Sequence, residues 1–166
     1  MSKAFLRESD DAPDEPVLRP VIALAPGQRT LLTPEGAAGL RAELARLLAT
    51  RPALVAPPQS ADAKRELLTL DHRIRQLEQS LRTADIVPPN PGPRTTVDFG
   101  ATVTVREPSG EETRYRLVGP DETDADRGAI SHLSPLARAL LGAIPGQTIT
   151  VKTPRGRQDL LVIAIS

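Results

Sequence analysis

Apolar residues recur at Ala37, Leu40, Leu44 and Leu47, and again at Ala63, Leu67, Leu70, Ile74, Leu77, Leu81 and Ala84. The steps alternate between three and four, which places each set on one face of an α-helix, and the second set is an unbroken heptad seam. Thr33-Pro34-Glu35-Gly36 starts the first helix: Thr33 as N-cap, Pro34 where a missing N–H costs nothing, and Glu35 favourable to the helix dipole. Pro52 is expected to end it, giving roughly 17 residues or about 25 Å. The segment 51–60, RPALVAPPQS, has three prolines and reads as the connecting loop. Ser60 then caps a second helix of about 24 residues, roughly 36 Å, with Asp62 in its first turn. Polar residues, among them Arg65, Glu66, Asp71, His72, Arg73, Arg75, Glu78 and Arg82, fill its other faces. No further long helical stripe follows to complete a larger bundle, so 31–86 is read as an antiparallel coiled-coil hairpin.

Residues 87–95, VPPNPGPRT, hold four prolines and form a linker. Beyond it the period drops to two. Ala101–Arg106 and Thr113–Val118 alternate like strands around the turn Pro108-Ser-Gly-Glu111, and Gly128–Ser131 is short and strand-like. Ser134-Pro135 followed by LARALLG supplies an N-cap, Pro at the first helical position and a terminal Gly142. Thr148–Lys152 and Asp159–Ile165 make a closing hairpin. Residues 96–166 therefore predict a small domain of five strands and one short helix, and the whole chain is of the α+β class.

Composition narrows the chemistry. Residues 1–28 combine Glu8, Asp10, Asp11, Asp14 and Glu15 with four prolines, and read as a disordered, solvated acidic tail. Lys+Arg and Asp+Glu both number 21, so the chain carries no net charge and a protein held mainly by phosphates is disfavoured. Only Phe5, Phe99 and Tyr115 are aromatic, too few for base-stacking platforms. There is no cysteine, and His72 and His132 lie 60 residues apart. Thiolate chemistry, disulfides and a Cys-based metal site are thereby excluded, a His-based site is disfavoured, and no cofactor is expected. The start of the chain lacks a signal-peptide core and no apolar run reaches 18 residues, so a cytoplasmic protein with no membrane contact is expected. Oligomeric state stays open, because a heptad seam pairs between chains as well as within one. His72 lies off the seam, and the arginines Arg41, Arg46, Arg65, Arg73, Arg75 and Arg82 alternate with Glu43, Glu66, Asp71 and Glu78 as a salt-bridged, solvated face.

Several stretches resemble the Gre family (GreA/GreB type) of bacterial transcript-cleavage and elongation factors. LLTPEGAAGLRAEL is similar to the family's opening helix and RIRQLEQSLRTADIV to the end of its second helix. FGATVTV, YRLVGPDETDA, AISHLSPLARALLG and GQTITVKTP follow in the family's order. The resemblance covers about 31–163 and is weakest at 48–66. It implies an FKBP-like C-terminal domain and a bacterial RNA polymerase partner, with nucleic acid met only indirectly. The C-terminal domain would grip the rim of the polymerase's secondary channel through Leu133, Ser134, Pro135, Leu136 and Arg138, while the hairpin enters the channel. Leu133 stands where cleavage factors often have a polar or acidic residue.

The family's cleavage factors carry an acidic pair at the hairpin tip, where two carboxylates help hold a second Mg²⁺ at the polymerase active site. Here the equivalent stretch is Ala56-Pro-Pro-Gln59-Ser60, and Gln59 cannot act as a carboxylate. Asp62 and Glu66 are the nearest acids. The hairpin is also expected to be shortened, a pattern that resembles the Rnk-like and other non-cleaving members. The expectation is a polymerase-binding regulator that is not itself an enzyme. The alternatives are a cleavage factor using Asp62 and Glu66, a regulator of another enzyme, and a prolyl isomerase. The isomerase is disfavoured because FKBP-type pockets are lined by aromatic side chains.

Overall fold

The computed structural model describes residues 29–56, 60–153 and 156–166. The acidic tail and Gln59 lie outside the described residues. Two long helices, α1 (Pro34–Val55) and α2 (Ala61–Thr83), pack side by side and are closed at the base by two short parallel strands. These are β1 (Leu31–Leu32) and β2 (Asp85–Ile86), paired Leu31 to Asp85 and Leu32 to Ile86.

Both helix starts are built as the residue types dictate. Thr33 accepts from the Gly36 N–H at 3.0 Å, and Ser60 accepts from the Ala63 N–H at 3.1 Å. The seam of α2 is buried at Leu70, Ile74 and Leu77 and half-buried at Ala63, Leu67 and Leu81. Leu77 meets Leu32, Ala37 and Leu40 in a compact core at the base, flanked by Leu44, Leu47, Leu81 and Ala84. Towards the tip the seam is only half covered, because two helices alone cannot enclose it.

The end expected for α1 at Pro52 is corrected: the helix continues through Pro52 to Val55, and the loop read over 51–60 is shorter. The proline gives up its own N–H bond to Leu48 and crowds that carbonyl, a cost that is tolerable so close to the helix end and on a side where Leu48 is 46% exposed. The Ala56 N–H bonds to the Pro52 carbonyl at 3.2 Å and ends the helix. The two helices are 22 and 23 residues long, about 33 and 35 Å.

The second unit is a five-stranded sheet in the order β5-β4-β3-β7-β6. Its strands are β3 (Thr102–Arg106), β4 (Glu112–Val118), β5 (Ala129–Ser131), β6 (Thr148–Thr153) and β7 (Gly156–Ile165). All neighbours are antiparallel except β4 and β5, and the β3–β7 pairing shifts register between Thr104 and Val105. The short helix α3 (Pro135–Leu140) lies over the sheet. Its Ala137 and Leu140 join Val103, Val105, Leu117, Ile149, Val151 and Val162 in the core. Val97 fastens the linker to the far end of α3, donating to the Ala143 carbonyl and accepting from the Gly142 N–H.

Candidate functional site

Three places carry the polar groups that could act. In the first, the chain leaves the edge strand β5 in a tight turn and enters α3. Ser131 holds this turn: its hydroxyl accepts from the Leu133 N–H at 3.2 Å and its carbonyl from the Ser134 N–H at 2.9 Å. The Ser134 hydroxyl accepts from the Ala137 N–H at 3.1 Å and caps α3. Leu133, Ser134 and Leu136 are half-buried, whereas Pro135 and Arg138 are exposed. The five residues singled out in the sequence are thus gathered within one turn and one short helix. His132 is fixed beneath them, with Nδ1 3.2 Å from the Val118 carbonyl oxygen and its ring edge-on to Phe99 at 5.3 Å. An open depression of about 760 Å³ adjoins Ser134, lined by Thr123–Asp126 and Ala129–Ser131.

The second place is the hairpin tip. Asp62 and Glu66 stand on successive turns of α2, four residues apart and exposed. No group of three or more potential metal ligands occurs among the described residues. Behind the tip, bidentate pairs tie the two helices. Arg51 donates to both Asp71 oxygens at 2.6 and 3.2 Å, and Arg73 to both Glu43 oxygens at 2.9 and 3.0 Å. The hydrogen bond from Arg51 holds the Asp71 carboxyl below its ordinary 3.8, with smaller help from the charges of Arg51 and Arg75. Of the arginines read as a salt-bridged face, Arg73 has such a partner, and His72 is exposed as expected.

The third place was not singled out from the sequence. The 3₁₀ turn Pro120–Glu122 brings Glu122 against the start of α1. One Glu122 oxygen accepts from the Thr33 N–H at 2.6 Å, and the other from the Thr33 hydroxyl at 3.0 Å. Nearby, Arg116 donates to Glu35 at 3.1 Å across the same junction. The Glu35 carboxyl is lowered mainly by its own backbone N–H, and burial partly opposes this. The sequence signal was a glycine, Gly36, at the third helical position, where a helix capped by Thr would usually carry its own Glu or Gln.

Comparison with known proteins decides the family. Residues 92–166 match the family described as "Transcription elongation factor, GreA/GreB, C-term". The transcription elongation factor GreB of Pseudomonas aeruginosa is 40% identical over 149 residues, spanning 81% of this chain and 89% of the relative. The chain belongs to the GreA/GreB family of transcription elongation factors. A GreA of Nitratidesulfovibrio vulgaris is 38% identical over 149 residues, spanning 81% of this Gre-family chain and 93% of the relative. Among solved structures, the GreA factor homolog 1 (Gfh1) of Thermus thermophilus is 26% identical. It covers 84% of this chain and 99% of its own, with a TM-score of 0.40.

Proposed function

We propose that this Gre-family chain binds RNA polymerase at the rim of the secondary channel and regulates elongation without stimulating transcript cleavage. The surface around α3 makes the contact, through Leu133, Ser134, Pro135, Leu136 and Arg138, and the hairpin points into the channel. The protein holds no metal or cofactor of its own and acts in the cytoplasm, meeting nucleic acid only through the polymerase. The observation that carries the reading is the tip. Between the end of α1 at Val55 and the start of α2 at Ala61 the chain reads Ala-Pro-Pro-Gln-Ser, with no carboxylate. Lending a second Mg²⁺ to a hydrolytic site requires acidic oxygens, and a glutamine amide in their place carries no charge.

Length supports the same conclusion. The match to the Pseudomonas protein runs over 149 residues but spans 81% of this chain, about 134 residues, so about 15 positions of the relative have no counterpart here. We assign that deficit to the hairpin, around 48–66, where the resemblance is weakest. Asp62 and Glu66 support the rival reading, since they are exposed acids near the tip.

Docking is tested on the two exposed residues of α3. Pro135→Asp with Arg138→Glu leaves the Ser134 cap and the buried Ala137 and Leu140 in place. Polymerase affinity is expected to fall at least about 30-fold, the scale of a lost interface hot spot, with an unchanged circular dichroism spectrum. Absence of wild-type binding at micromolar concentration would refute the proposal.

A further inference from the structure

We infer that Glu122 is a positioning residue: it completes the N-cap of α1 from the other unit and so fixes the direction in which the hairpin leaves the sheet. In an ordinary capping box the N-cap threonine and a glutamate at the third helical position serve each other within one helix. Here Thr33 performs its half, accepting from the Gly36 N–H. The reciprocal half, a carboxylate on the Thr33 N–H, comes from Glu122, 89 residues away along the chain. The Thr33 hydroxyl donates to the same carboxylate, and the Gly119 N–H approaches it at 3.4 Å.

Gly36 keeps that seat open. A Cβ built on it would collide with the Glu122 carboxylate and with the side-chain carbons behind it. Gly36 is helical and has no positive φ, so conformational freedom does not explain the glycine. The approach of Glu122 does. A second close approach lies beside it, where a Cβ on Gly119 would strike the Leu31 carbonyl. Thr33 is 3% exposed, so its donors would be left buried without a partner if the carboxylate left. The junction thus couples a helix start to a turn through charge-assisted bonds whose geometry is directional. A hairpin held only by exposed pairs such as Arg116–Glu35 would pivot about the base strands.

The physical claim concerns the free chain; its consequence for hairpin entry rests on the polymerase reading above. Glycine in a helix interior is normally less favourable than alanine. Gly36→Ala should therefore raise the melting temperature of the hairpin in a Glu122→Ala background. In the wild-type background it should be distinctly less favourable, with a coupling of about tenfold or more in the unfolding equilibrium constant. Equal shifts in the two backgrounds would overturn the inference.

Because the chain has no cysteine, Ala53→Cys near the tip and Ser109→Cys in the β3–β4 turn take spin labels uniquely. The labelled protein should give one narrow distance, and Glu122→Ala a broad or multiple distribution. Glu122→Gln, which can still accept from the Thr33 N–H, should keep the narrow one. A distribution unchanged by Glu122→Ala would contradict the assignment. None of these readouts involves polymerase, so their failure is separable from failure of the docking proposal.

Discussion

Truncating Leu77 to alanine is expected to destabilise the hairpin by about 2–5 kcal/mol and to melt it ahead of the sheet. Leu77 is 1% exposed and sits in the small cluster of Leu32, Ala37 and Leu40. Leu32, one of its neighbours, is tied down by the β1–β2 pairing, next to the cap at Thr33, which limits how far the core can collapse into the space. A two-helix unit has little stability to lose, since whole domains are stable by only about 5–15 kcal/mol. Helical ellipticity should therefore fall in a first transition that leaves the sheet intact. Leu68→Ala is the matching control: Leu68 is 69% exposed, so its loss should change little.

Leu140→Ala should have an effect of similar size, about 2–5 kcal/mol, in the other unit. Leu140 is fully buried and anchors α3 over the core that includes Val97, Ile149 and Val162. Because α3 is only six residues long, propensity cannot sustain it without that anchor. The turn carrying Leu133 and Ser134 and the exposed pair Pro135 and Arg138 would lose their fixed places. On the proposed function, polymerase affinity should drop although no contacting residue has been altered. Hydrogen exchange should locate the loosening at α3 and at the 97–143 backbone pair, with the hairpin unaffected.

Much of this was legible in the sequence. The heptad seam of α2 was readable because each of its positions from Ala63 to Leu81 is buried or half-buried. The alternation over 102–106 and 113–118 was readable because one face of the sheet is buried and the other is not. Other parts left weaker marks. The overrun of α1 past Pro52 was masked by the proline, although Leu54 stands one heptad beyond Leu47 and is half-buried. The pairing of β1 with β2 leaves no period in two residues, and its partner lies more than fifty positions away. Glu122 in its motif reads as part of a turn; its second role depends on a glycine in another unit, and only the fold brings the two together. The residues proposed for docking came from the resemblance, and the fold keeps them in one turn and one short helix because they are close neighbours along the chain.

The junction also bears on what the hairpin can do. Two helices of about 33 and 35 Å project from a base fixed by β1, β2 and Glu122. On the proposed function, such a projection, joined by a segment whose sequence from Ala56 to Ser60 carries no carboxylate, would occupy the channel as a wedge and exclude a related factor from the same rim.

The most direct test of that account is a backtracked elongation complex given the wild-type protein under conditions where binding to polymerase is demonstrated. The expected result is an RNA that stays full length at the rate of polymerase alone, together with protection against an added cleavage-active GreA or GreB. Transcript shortening by the wild-type protein that disappears in Asp62→Ala or Glu66→Ala would contradict the account and place the activity on the first turns of α2.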